Sequence, residues 1–61
     1  MYALYLQFCD GKEGYYKYEE GGYVHYGPYR DATGFPSRQA ALAKARRLKG
    51  AGYRIAYYEA V

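Results

Sequence analysis

The sequence predicts a small, single-domain α+β fold that spans residues 1–61 in the order β-β-β-α-β. Four segments alternate aromatic or aliphatic residues with polar ones, which is typical of half-buried strands. A Gly21-Gly22 pair separates the second and third segments, as in a tight hairpin turn. One later run is rich in Ala, Leu, Lys and Arg, which favour a helix. The expected architecture is a four-stranded, mainly antiparallel sheet with one helix packed on one face.

The first strand is predicted over residues 2–9, where the alternation is regular. Tyr2, Leu4, Leu6 and Phe8 share one face, and we expect that face to point into the core. The Asp10–Gly14 segment contains two glycines and predicts a turn, because glycine accepts the positive φ angles that turns require.

The second and third strands are predicted over residues 15–20 and 23–29, on either side of the glycine pair. Regular alternation would place Tyr16 and Tyr18 on one face of the second strand. Val24 favours burial of its own face of the third strand.

The only helix is predicted over residues 37–49, with Ser37 as its N-cap. The stripe expected to face the sheet contains Ala41, Ala45 and Leu48, with Leu42 beside them. The last strand is predicted over residues 53–60, with Ile55 and Tyr57 on one face. The helix is expected to return from the end of the third strand, so this last strand should run parallel to its sheet neighbour, whether that is the first strand or the third, through a right-handed crossover.

The composition excludes several classes of protein. One cysteine, Cys9, rules out an internal disulfide, and one histidine leaves too few ligands for a structural zinc site. No apolar run is long enough to span a membrane, and the N-terminus lacks the pattern of a secretory signal. We therefore expect a cytoplasmic protein without a metal or cofactor and without a membrane partner.

The positive charge is concentrated in the C-terminal half of the chain. Residues 1–35 carry three basic and five acidic residues, whereas residues 36–61 carry six basic residues and one acidic residue. The six form a predicted basic patch on the helix and last strand: Arg38, Lys44, Arg46, Arg47, Lys49 and Arg54. Such a patch can neutralise phosphates, although a charged, solvated helix face is the commoner explanation.

Tyrosines supply the predicted contact surface. Eleven are present, and a 61-residue domain cannot bury them all. Exposed, clustered tyrosine is typical of interfaces, although tyrosine is also simply a good strand former. The tyrosines predicted to bind a partner are Tyr5, Tyr15, Tyr18, Tyr23, Tyr29 and Tyr58.

A catalytic set is not evident. His25 with Glu19 and Glu20 could in principle form the acid–base pair of a small ribonuclease. The chain has no second histidine, no phosphate-binding loop and no nucleophile motif, so we expect a protein that is not an enzyme.

Part of the chain resembles known modules. The run from Gly22 to Tyr53 resembles half of a SPOR-type repeat, with a strand ending in Gly-Pro-aromatic, a loop, an alanine-rich helix and Gly-Tyr. The preceding residues lack the helix that such a domain has. The order of elements is also similar to that of the three-stranded DNA-binding modules of some integrases, and no site residue is inferred from either resemblance.

These patterns favour a small, non-catalytic binding protein that docks on a larger macromolecule through a tyrosine-rich sheet surface. A phage or mobile-element accessory protein that inhibits by steric obstruction fits this description by analogy. The alternative is a nucleic-acid-binding module that uses exposed tyrosines and the basic helix. A protein partner is favoured by a narrow margin because the tyrosine-rich stretch is not itself basic, and a homodimer that pairs the tyrosine faces is a further possibility.

Overall fold

The computed structural model describes all residues, 1–61, and confirms the predicted fold class. The sheet contains four strands in the order β3-β2-β1-β4, and every neighbouring pair is antiparallel. The elements are β1 (Leu4–Phe8), β2 (Glu13–Glu20), β3 (Tyr23–Gly27), a 3₁₀ turn (Tyr29–Asp31), α1 (Arg38–Gly50) and β4 (Ile55–Ala60).

The hairpin between β2 and β3 turns at Gly21 and Gly22, as predicted. Their φ angles are +61° and +83°, a conformation that residues with a Cβ rarely adopt. The third strand ends at Gly27, just before Pro28, which has no amide proton to donate to a sheet.

The predicted direction of β4 was wrong. After Gly27 the chain turns back along the sheet, where the Thr33 amide donates to the Tyr16 carbonyl and Phe35 pairs with Tyr2. The helix therefore begins at the N-terminal end of β1 and ends near the opposite end, where the Cys9 amide donates to the Arg54 carbonyl. From there β4 can only run antiparallel to β1, and no parallel crossover is formed.

The core lies between the helix and one face of the sheet, termed the helix face. Leu4 and Leu6 point into it from the middle of the sheet and are fully buried. The predicted helix stripe is confirmed, since the buried residues of α1 are Ala41, Ala45 and Leu48. The small side chains of Ala41 and Ala45 allow α1 to pack closely on β4 and β1. The predicted N-cap is also confirmed, because the Ser37 hydroxyl accepts a hydrogen bond of 3.1 Å from the Ala40 amide.

A β-bulge at Lys17 interrupts the alternation of β2. Tyr16 pairs with Tyr26 whereas Tyr18 pairs with His25, so β2 contains one extra residue at this point. Residues after the bulge therefore change faces. Tyr16 lies on the helix face, and Tyr18 lies on the opposite face, termed the open face, so the prediction that they share a face was wrong.

A second bulge, at Ala56, has the same effect in β4. Phe8 pairs with Ile55 but Gln7 pairs with Tyr57, which leaves Ala56 as the extra residue. Ile55 is buried on the helix face, and Tyr57 lies on the open face, with 48% of its surface exposed. The prediction that these two residues share a face was also wrong.

The single helix is neither long nor apolar enough to cross a membrane.

Candidate binding surface

Four tyrosine rings form a continuous row across the open face. Tyr57 of β4 contacts Tyr5 of β1, with ring centroids 6.5 Å apart, and Tyr5 contacts Tyr15 of β2 at 5.5 Å. Tyr29 of the 3₁₀ turn completes the row with an edge contact to Tyr15 at 5.3 Å. We call these four residues the tyrosine row.

The fold places each ring of the row by a different local feature. Tyr5 and Tyr15 are direct partners in the register of β1 and β2, so their side chains emerge side by side. Tyr57 reaches this face through the bulge at Ala56. Tyr29 reaches it because the chain crosses the open face after β3, before Phe35 enters the helix side next to Tyr16.

The inner and outer rings of the row differ in accessibility. Tyr5 and Tyr15 are half-buried by their neighbours, whereas Tyr29 is 60% exposed and Tyr57 is 48% exposed. The row therefore presents a half-buried centre with two accessible ends, an arrangement suited to contact with another surface.

Carboxylates hold two of the phenols of the row. The Tyr5 hydroxyl donates to Glu13 and accepts a 2.9 Å hydrogen bond from the Gln7 amide, and the Tyr57 hydroxyl donates to Glu59 at 3.2 Å. The hydrogen bond to Glu13 raises the pKa of Tyr5, and the hydrogen bond to Glu59 raises the pKa of Tyr57. Both phenols therefore stay neutral at physiological pH, and the carboxylates of Glu13 and Glu59 lie beside the row.

A second aromatic pair continues the open face toward the hairpin. Tyr18 and His25 stack with ring centroids 4.5 Å apart and an interplanar angle of 16°. Tyr23, at the end of the hairpin, is 73% exposed. The pair depends on the bulge at Lys17, since regular alternation would have turned Tyr18 toward the helix.

The structure groups some of the predicted partner-binding tyrosines and separates others. Tyr5, Tyr15 and Tyr29 belong to the row, and Tyr18 lies on the same face. Tyr58 does not, because it is half-buried on the helix side and packs against the core. Tyr57, which the sequence analysis did not select, takes the place expected for Tyr58.

The basic patch lies on the other side of the molecule. Arg38, Arg46, Arg47 and Lys49 are exposed along α1, which covers the helix face. Lys44 differs from these residues because it already interacts with the sheet. Its ammonium donates a 2.7 Å hydrogen bond to Glu19 and lies 5.6 Å from the centroid of the Tyr16 ring. No salt bridge, side-chain hydrogen bond or cation–π contact joins a residue of the patch to the tyrosine row.

Glu19 joins the helix to the sheet. The Lys44 hydrogen bond lowers the pKa of Glu19, and the same contact raises the pKa of Lys44. The Tyr16 hydroxyl also donates to Glu19, at 3.0 Å, and burial together with this hydrogen bond raises the pKa of Tyr16. Glu19 thus lies on the helix face while His25 lies on the open face, so the two are not placed as an acid–base pair.

Comparison of the chain with protein-family models, curated proteins and solved structures found no match. The resemblances to a SPOR-type repeat and to integrase DNA-binding modules therefore rest only on the sequence pattern and the order of elements described above.

Proposed function

We propose that this protein is a non-catalytic binding protein that docks on another protein through the tyrosine row. The observation that carries the proposal is the row itself: four tyrosines on the open face, each in contact with the next, on the side of the sheet opposite the basic helix. Tyrosine is enriched at the centres of protein interfaces because its ring offers a large contact area with few rotatable bonds.

The charges beside the row favour a basic partner surface. Glu13 and Glu59 approach the row through the hydroxyls of Tyr5 and Tyr57, so negative charge lies next to exposed aromatic faces. An arginine or lysine of a partner can stack on such a ring and pair with the carboxylate beside it. A partner bound in this way would be obstructed sterically, without any chemical step.

The alternative, a nucleic-acid-binding module, has a different requirement. Bases that stack on tyrosines need cations nearby to neutralise the phosphates. The aromatic row and the basic helix lie on opposite sides of the sheet, so one short strand cannot contact both. The exposed arginines of α1 could still bind nucleic acid without the tyrosine row. The test of function must therefore distinguish binding by the helix from binding by the row.

Capture of a partner with matched variants tests the proposal. The immobilised protein is exposed to a nuclease-treated lysate of the source cells, and each captured protein is then purified and titrated against the wild type and two double variants. One variant carries Tyr29→Ser and Tyr57→Ser in the row, and the other carries Arg46→Gln and Arg47→Gln on the helix. We expect the row variant to weaken binding by about 30-fold or more, the effect of losing interface hot-spot contacts of about 2 kcal/mol.

The helix variant is the matched control and should keep its affinity within about threefold, because exposed charges away from an interface contribute little. The proposal is wrong if the helix variant loses binding and the row variant keeps it. Binding to oligonucleotides that falls steeply with added salt and is lost in the helix variant would establish the nucleic-acid alternative instead.

A further inference from the structure

A second surface, distinct from the tyrosine row, lies on the helix side of the sheet. The helix packs on β4 and β1, and the helix side of β3 is left open. The resulting groove has a volume of ≈ 640 Å³, within the range of about 300–1,000 Å³ typical of small-molecule sites. We call it the lateral groove.

Apolar side chains form the walls of the lateral groove. Phe8 and Tyr26 are in contact, with ring centroids 4.9 Å apart, although they belong to strands separated by β2. They meet because Gly14 of β2 has no side chain, and a Cβ there would lie 2.6 Å from the Tyr26 ring. Val24 and Tyr53 extend this apolar lining.

Two cations lie among the residues that line the lateral groove. Lys12 comes from the turn before β2 and Arg54 from the residues before β4, and neither forms a salt bridge. The lining also contains one carboxylate, that of Asp10, which accepts a 3.0 Å hydrogen bond from the backbone amide of Lys12. With two cations and one anion, the groove combines an apolar floor with a net positive charge at its edge.

From this combination we infer that the lateral groove binds a small apolar acid, a molecule with a flat or chain-like apolar body and one anionic group. The apolar body would lie against Phe8, Val24 and Tyr26, and the anion would face Lys12 and Arg54. The volume fits a molecule of this size, and the unpaired cations supply the complementary charge that an uncharged ligand would not use. This site is independent of the proposed docking surface, because the two lie on opposite faces of the sheet.

A pair of dyes tests the inference directly. 8-Anilinonaphthalene-1-sulfonate carries an apolar aromatic body and a sulfonate, and N-phenyl-1-naphthylamine has the same body without the charge. Each is titrated by fluorescence into the folded protein, with circular dichroism recorded to show that the fold is intact. We expect the sulfonate to bind more tightly and to displace the neutral dye from the groove.

Three variants identify the contacts. Arg54→Gln should weaken the sulfonate by about fivefold, the effect expected for a partly exposed charge pair, and leave the neutral dye unchanged. Val24→Thr, which keeps the shape but adds a hydroxyl, should weaken both dyes by about threefold. Arg38→Gln, at the far end of the helix, is the charge-matched control and should change neither.

Amide chemical shifts in a nitrogen-15 NMR titration locate the bound dye. Shifts centred on Cys9, Val24 and Tyr53 support the inference. Shifts centred on the tyrosine row, or equal losses for Arg54→Gln and Arg38→Gln, would overturn it. Dye binding that disappears as the protein concentration rises, together with dimers in sedimentation, would show instead that a second copy of the chain covers the groove.

Discussion

Replacing Gly14 with alanine is the most direct test of how β1 and β3 contact each other across β2. The added Cβ would lie 2.6 Å from Cδ2 of Tyr26 and 3.3 Å from the Gly27 carbonyl oxygen. An ordinary carbon contact is about 3.5–4.0 Å, so the Tyr26 ring has to move by roughly 1 Å. That movement would pull Tyr26 away from Phe8 and open the floor of the lateral groove.

The size of the effect follows from two opposing contributions. Overpacking of a tight contact destabilises the folded protein by about 1–3 kcal/mol. Replacing glycine in a strand stabilises it by about 0.5–1 kcal/mol, because alanine has less conformational freedom in the unfolded chain. The net expectation is that Gly14→Ala lowers the free energy of unfolding by about 0–2.5 kcal/mol. A loss near the middle of that range, about 1 kcal/mol, corresponds for a domain of this size to a fall in Tm of roughly 4–8 °C.

Gly27→Ala is the matched control. Gly27 lies in the neighbouring strand, and its added Cβ would meet only Cδ of the flexible Lys17 side chain, at 3.4 Å. We expect this variant to unfold at the same urea concentration as the wild type or at a slightly higher one.

Combining Gly14→Ala with Tyr26→Leu isolates the contact between the two positions. If the ring is the obstacle, the alanine should cost less when Tyr26→Leu is already present, with an interaction energy of about 1–2 kcal/mol. Urea unfolding followed by circular dichroism measures all of these variants. A Gly14→Ala protein as stable as the wild type, with no interaction energy between Gly14→Ala and Tyr26→Leu, would show that the Tyr26 ring does not lie over Gly14, and the proposed groove floor would fail with it.

Two further predictions concern the helix. Glu19→Gln should lower the free energy of unfolding at pH 7 by about 0.5–1 kcal/mol, since Glu19 and Lys44 form a partly exposed pair. Because folding lowers the pKa of Glu19 below its ordinary 4.5, this contribution is present above pH 4.5 and disappears as the pH falls through the folded-state value. Urea unfolding from pH 7 to pH 3 measures it, and a difference that persists unchanged at pH 3 would contradict an electrostatic origin. Ser37→Ala should lower the free energy of unfolding by about 0.5–2 kcal/mol, because the hydrogen bond from the Ala40 amide is lost. Ser37→Asp should keep most of this stability, since aspartate is also a good N-cap. Equal losses of stability in thermal unfolding for both variants would exclude capping as the cause.

The parts of the fold that could be predicted are those set by local pattern. Leu4 and Leu6 alternate with polar or aromatic neighbours and lie in the core, and the Ala41–Ala45–Leu48 stripe follows the helical period. Ser37 and the Gly21-Gly22 pair are recognisable because capping and positive φ angles depend on the residue itself. Each of these features can be predicted from a few neighbouring residues, without knowledge of the rest of the chain.

The direction of β4 depends on a non-local feature that the pattern does not contain. It is determined by the segment between β3 and α1, which returns along the sheet and pairs Phe35 with Tyr2. A single backbone pairing of this kind leaves no periodic signal in the sequence. The helix was therefore placed correctly along the chain but was expected to start at the wrong end of the sheet.

The sequence predicted that exposed tyrosines form the candidate surface, but it did not predict correctly which tyrosines they are. The two bulges explain the difference. A one-residue insertion exchanges the faces of all the residues that follow it in a strand. At Ala56 this exchange put Tyr57 in the row and Tyr58 against the core, the reverse of the expected assignment. The Ala56 bulge belongs to the pairing of the edge strand β4 with β1, and bulges are common at sheet edges. The alternation in Tyr-Arg-Ile-Ala-Tyr-Tyr contains no record of that pairing and could not reveal the bulge.

The bulge at Lys17 also determines which side chains of the second half of β2 lie on each face of the sheet. Without it, regular alternation would leave Glu19 on the open face and Tyr18 under the helix. With it, Glu19 reaches Lys44 and Tyr16, while Tyr18 stacks on His25 in the open. One inserted residue thus places Tyr18 and Glu20 on the open face and Glu19 on the helix face, and it gives the helix its only salt bridge to the sheet. The same local irregularity serves the stability of the core and the aromatic character of the surface that we propose binds a partner.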